Sequence, residues 1–206
     1  MHPNPVYRNT PEDRNLAFVR ERGFGTLTVN GADGPLASHI PFVLSQDGRS
    51  AELHLVRSNP IMRALTGLMP ALLAVTGADG YISPDWYGIE DQVPTWNYIA
   101  VHLRGRLEPM PAEDLRAHLD RLSAEFETRL LPKAPWKTEK VTPEVMDRFL
   151  RMILPCRFII SDVQSTWKLG QNKPEQARIA AADALGISEI GQETSLLAGL
   201  MRAAAG

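Results

Sequence analysis

Two segments of this 206-residue chain combine aromatic rings with amide and cationic donors at a density that a strand-ending loop does not need for its own stability. The first is Pro94-Thr95-Trp96-Asn97-Tyr98 and the second is Trp167-Lys168-Leu169-Gly170-Gln171-Asn172. Trp and Tyr offer faces for stacking, Asn97, Gln171 and Asn172 offer amides, and Lys168 offers a cation. A planar, polar-edged, anionic ligand would use all three, and donors along the polar edge of an electron-accepting ring stabilise its reduced form. The competing reading is an aromatic corner of the core, or a contact between copies, with incidental polar neighbours.

A second group is Val56-Arg57-Ser58-Asn59-Pro60, at an expected strand-to-helix junction. Asn59 as N-cap and Pro60 at the first helical position leave backbone N–H groups aimed outward, and the helix dipole favours an anion there. Arg57 adds a bidentate cation and Ser58 a hydroxyl, a phosphate-binding combination. Asn59 as a plain cap beside a solvated Arg57 is the alternative. A third group is Ser38-His39-Ile40-Pro41-Phe42. Ser38 shares the parity of Ile40 and Phe42, so its hydroxyl faces an apolar interior and needs a partner, while His39 faces the other way.

Other chemistries lack their residues. The five histidines show no HxH, HExxH or Cys/His spacing, so no metal site is expected, and His118 reads as a helix-surface residue. No GxSxG, P-loop or GxGxxG occurs, and the single Cys156 has no activating neighbour. Residues 180–188 have the outline of the first helix and turn of a helix-turn-helix. The would-be reading helix, 189–195, carries two acids, a glycine and no Lys or Arg, the wrong sign for phosphate. DNA binding is thus possible but supported by neither charge nor motif, and a packed terminal helical hairpin competes with it. Net charge is -2, so no global field recruits nucleic acid. No apolar run reaches membrane-spanning length and no signal peptide opens the chain, so no membrane partner and a cytoplasmic location are expected.

The positioning elements follow from periodicity. A helix is expected from Thr10-Pro11 to Gly23, then alternating strands at 24–30, 36–44 and 51–56 joined by turn chemistry. A short helix follows Asn59-Pro60, and Ala71–Val75 reads as a strand buried on both faces. Residues 77–95 read as a long irregular loop, 96–108 as a strand, 111–131 and about 143–153 as helices, and 158–163 as a last strand. The tail from Pro174 is Ala-rich and helical. Hairpin connections without βαβ alternation predict a mainly β fold with added helices (α+β), a six-stranded antiparallel barrel. The expected division is a domain over 1–172, with inserted helices at 111–153, and a helical tail over 173–206.

Six segments in this order resemble the PaiB family of FMN-binding negative transcriptional regulators, in the FMN-binding split-barrel superfamily. They are Phe24–Leu27, Ala37–Phe42, Arg57–Pro60, Tyr81–Tyr87, Pro94–Tyr98 and Trp167–Asn172, and the likeness runs from residue 1 to about 185. The resemblance implies a homodimeric split β-barrel with FMN at the subunit interface. It implies Arg57, Ser58 and Asn59 at the phosphate or ribityl end and Ser38 and His39 along the flavin. Trp96, Asn97, Lys168, Gln171 and Asn172 would come from neighbouring elements or the second subunit. Gly170 and Lys173 stand where the family pattern often has Ser and Arg. The implied function is negative transcriptional regulation. The alternatives are a flavin-dependent oxidoreductase acting on a small molecule with NAD(P)H, and a flavin protein of other role or a haem protein through a histidine such as His39.

Overall fold

A computed structural model describes residues 1–204. Its elements, in chain order, are α1 (Glu12–Arg22), β1 (Phe24–Gly31), β2 (Gly34–Pro41), β3 (Val43–Leu44), β4 (Ser50–Val56), α2 (Pro60–Ala64) and β5 (Met69–Ile82). Then come β6 (Thr95–Pro109), α3 (Leu115–Thr128), α4 (Pro143–Leu150), β7 (Ile153–Lys168), α5 (Glu175–Gly186), β8 (Gly191–Gln192) and α6 (Thr194–Ala203). One sheet runs in the order β2-β1-β5-β6-β7-β4-β3, with β8 on β5. The antiparallel α+β class expected from the sequence holds. The strand count is corrected from six to eight: six long strands, as expected, and two of only two residues, β3 and β8. Strands that short have no periodicity to read.

The chain forms two compact units, each described by itself: residues 1–15, 75–102 and from 164 onward make the first, and residues 16–74 and 103–163 the second. The second unit holds the hairpin β1–β2, in register from Phe24↔Pro41 to Gly31↔Gly34, and the ladder β4–β7 from Ser50↔Ile159 to Val56↔Ile153. β1 also pairs with the start of β5, Thr26↔Ala74 to Val29↔Ala71. Alternation places Leu27, Val29, Ala51, Leu53 and Leu55 in the core, each almost fully buried. Removing each of the Leu and Val side chains from water contributes about 1.5–3 kcal/mol. β2 lies against β4, yet among the described residues no ladder joins them.

Three expectations change. The strand expected to end at Val75 runs on to Ile82, into residues that read as the start of an irregular loop. Its glycine makes room instead: a Cβ at Gly80 would stand 2.6 Å from Leu185 Cδ1, so α5 packs directly on the strand. β7 begins at Ile153 and reaches Lys168, absorbing Pro155, Cys156 and Trp167. His118 is not a surface residue: it is fully buried, with Nε2 3.1 Å from His54 Nδ1.

In the first unit, α5 and α6 form a hairpin that buries Ala181, Leu185, Leu197 and Met201. Residues 189–195 do not form a reading helix. Gly191 and Gln192 pair with Gly80 and Asp79, and α6 starts only at Thr194. No described helix is long and apolar enough to cross a membrane.

Candidate functional site

In the second unit, β4 ends at Val56 and the chain turns through Arg57 and Ser58 into α2. Asn59 caps that helix as its identity predicts: Oδ1 accepts from Ile61 N at 2.9 Å, and Pro60 occupies the first position. The other end of the amide reaches β2, where Nδ2 donates to Ser38 Oγ at 2.8 Å. Two segments singled out separately in the sequence are thereby one cluster. Ser38 is half-buried on the parity of Ile40, and the partner its hydroxyl needed is Asn59. His39 points outward, hydrogen-bonded to Thr26 Oγ1 at 2.9 Å and stacked on the exposed ring of Phe24.

Arg57 is exposed, but its Nε donates to Arg151 O at 2.7 Å and its backbone N to Met152 O at 2.9 Å. The guanidinium is thus anchored at one nitrogen with its terminal NH₂ groups remaining for a ligand. Ser58 is exposed beside it. α2 has only five residues, so its dipole adds little, and the side chains of Arg57, Ser58 and Ser38 carry the anion-binding capacity here.

In the first unit, β6 sorts its residues by parity. Trp96 and Tyr98 face out, with Trp96 47% exposed, while Asn97 faces in at 1%. The two sequence-predicted neighbours therefore sit on opposite faces of one strand. Trp96 belongs to an open aromatic group, with Tyr81 edge-on at 6.4 Å and Trp86 beyond it. Asn97 donates to Met201 Sδ at 3.4 Å, and its buried Oδ1 has no partner.

The second aromatic segment divides likewise. Trp167 is buried at the end of β7, its Nε1 donating to Asn15 Oδ1 at 2.8 Å and Arg14 lying over its ring. Gln171 braces its own loop: Oε1 accepts from Leu169 N, and Nε2 donates to Trp167 O and Val6 O. Asn172 is exposed. Lys168 donates to Thr95 Oγ1 and lies over the Tyr7 ring, while Lys173 donates to Gln92 and lies over Tyr87. Among the described residues neither ammonium has a carboxylate partner. Burial, then the charge of Lys173, lowers the Lys168 pKa, and burial raises that of both tyrosines. Tyr7 and Gln92 escaped the sequence reading because nothing local in them announces two lysines far along the chain.

The donors thus comprise an Arg–Ser–Asn–Ser cluster in one unit, and in the other an open aromatic face and two ammoniums bonded to neutral acceptors. Side chains of this kind fit an anionic group with a flat ring. A separate cavity of about 500 Å³ in the first unit is lined by Asp85, Glu90 and Asp91, whose charges oppose a phosphate. Among the described residues no group of three or more His, Cys, Asp and Glu could hold a metal ion.

Comparison with known proteins agrees with this chemistry. Residues 1–162 match the sequence family described as "Putative FMN-binding domain". The protein named protease synthase and sporulation protein PAI 2, from Bacillus subtilis, is 31% identical over 177 residues, covering 85% of this chain and 84% of that one. Among solved structures, an FAD and heme binding protein from Mycobacterium smegmatis superposes with a TM-score of 0.56 at 20% identity, covering 79% of this chain and 73% of that one. The flavocytochrome Anf3 from Azotobacter vinelandii gives 0.54 at 17%, covering 81% and 72%. At such identities these two share the fold alone. By the family match and the PAI 2 relative, the chain belongs to the PaiB family of FMN-binding-domain proteins.

Proposed function

We propose that this protein binds FMN as a homodimer and acts as a negative transcriptional regulator of the PaiB type, its output set by flavin occupancy or redox state. The observation that carries flavin binding is the Asn59–Ser38 bond, which gathers two separately recognised segments beside exposed Arg57 and Ser58. In this reading the phosphate or ribityl end of the cofactor is held by Arg57, Ser58 and Asn59. Ser38 and His39 line the flavin, and Trp96, Lys168 and Asn172 supply stacking and donors from neighbouring elements or from the partner copy. The placements of Asn97, buried, and Gln171, spent on its own loop, favour a supporting role for both. Exposed Phe24, Val56 and Trp96 give a second copy apolar surface to cover. When bound, FMN supplies one- and two-electron chemistry; the chain's residues bind and orient it.

A second reading, a flavin-dependent oxidoreductase using NAD(P)H on a small molecule, draws on residues 189–195, which form no reading helix. The two separate experimentally. The regulator requires salt-sensitive DNA binding with a specific excess over random sequence. The enzyme requires NAD(P)H to bleach bound flavin. For flavin binding itself, titration with FMN should give micromolar affinity or better, about -8 kcal/mol. Arg57→Ala should weaken it about tenfold to a hundredfold, the worth of a charge-assisted hydrogen bond. Unchanged affinity removes Arg57 from the site, and a solution mass near 22.8 kDa rather than twice that rejects the dimer.

A further inference from the structure

Flavin binding makes no use of a buried string of titratable groups beneath α3. His118 is fully buried on the face of α3 turned to β4, and Glu52 and His54 project from β4 on the same parity. His54 Nδ1 meets His118 Nε2 at 3.1 Å. The ring centroids are 5.3 Å apart, so the two nitrogens point head-on and share a proton, whereas two ligands of one metal would converge beside that line. His118 Nδ1 lies 3.6 Å from Glu52 Oε2, beyond hydrogen-bonding distance, and has no partner. Arg121, one turn on, grips the same Glu52 oxygen at 2.6 Å.

The charge of Glu52, 3.6 Å away, favours the tautomer of neutral His118 with its proton on Nδ1, which leaves Nε2 to accept from His54. Burial opposes ionisation of Glu52, but the hydrogen bond and charge of Arg121 outweigh it and hold the carboxyl below its ordinary range. Burial pushes His118 down to about 4 and also lowers His54. The charged groups facing the pair are Glu52 on β4 and Arg121 on α3. Arg157, opposite Glu52 on β7, is paired with Glu108, and β3 brings only Val43 and Leu44.

We propose that His54 and His118 form a proton-operated latch that holds the first turns of α3 on β4 and lets them go in acid. One added proton is tolerated, because it goes to His54 Nε2 and leaves the shared N–H in place. A second must go to His118 Nε2, setting two N–H groups and two cations head-on with no acceptor between them. The far end of α3 has no such dependence. There Arg129 donates to the carbonyls of Arg20 and Glu21, and Phe126 fills the space over Gly23. Release is therefore local to residues 115–122, and β4 keeps its ladder to β7.

Hydrogen exchange of the whole chain, corrected for intrinsic rate, tests this between pH 7 and pH 4. Protection of 115–122 should fall on the order of a hundredfold, the population change that a shift of about two pH units commands, while 126–129 and the β1–β2 hairpin stay protected. The His118→Leu variant should keep 115–122 protected in acid. Equal acid loss in that variant, or unchanged protection in the wild type, overturns the latch. Should the variant fail to fold, NMR titration of wild-type imidazoles decides: His118 ionising near 6.5 with the helix still protected refutes it. Zinc chloride alone at pH 7 should leave protection unchanged; a rise would make the pair a metal site instead.

Discussion

Asn59 performs two tasks with one amide, and a double-mutant cycle with Ser38 separates them. Its Oδ1 caps α2 at 2.9 Å from Ile61 N, seating the fully buried Ile61 in the core, and its Nδ2 bonds Ser38 Oγ at 2.8 Å. Losing a cap costs about 1 kcal/mol, and losing a neutral hydrogen bond at a half-buried position about 1 more. Asn59→Ala should therefore cost about 2 kcal/mol. Ser38→Ala should cost about 1 kcal/mol, because water can serve the released amide at this half-buried position. In the double variant the Ser38 partner is already gone, so the total should stay near 2 rather than 3 kcal/mol, a coupling of about 1 kcal/mol. Urea unfolding followed by circular dichroism measures all four proteins, with unchanged m-values showing that the unfolded states are comparable. Strictly additive losses would mean that the bond from Asn59 to Ser38 contributes nothing and that the two residues are not one cluster.

Gly105→Ala should destabilise by about 3 kcal/mol, because the new Cβ would stand 1.9 Å from Ile159 O and force β6 from β7; a loss under about 1 kcal/mol in urea would refute that close approach. Cys156 is buried and its thiol is pushed up to about 12, so maleimide at pH 8 should leave the native protein unmodified; labelling faster than unfolding would show the site is open. Stability should fall in mild acid. His118 is held neutral down to about 4, whereas the unfolded chain takes up that proton from about 6.5. Unfolded chains therefore bind more protons throughout this window, and up to about 3 kcal/mol present at pH 7 is lost as pH drops through it. Denaturation of wild type and His118→Leu should diverge between those limits, and parallel slopes would refute the assignment.

The sequence by itself determined what is local. Alternation set the faces of β1, β2, β4 and β6, with Leu27 and Val29 inward and Ser38 on the parity of Ile40. Asn59-Pro60 declared its own cap, and six ordered segments declared the family. These are readable because a strand's period, a cap and a turn need only residues a few places apart. Tertiary structure decided the partners. Ser38 meets Asn59 across 21 residues, His118 meets His54 across 64, and Lys168 meets Thr95 across 73. It also decided how far strands run, since Gly80 reads as part of a loop until α5 comes to rest on it. A residue's period shows that it has a buried face, but the chemistry of that face depends on which distant element covers it. His118 looked like a solvated helix residue for that reason: α3 buries it on the polar parity of β4, beside Glu52 and His54, and no pattern within α3 encodes what β4 will present.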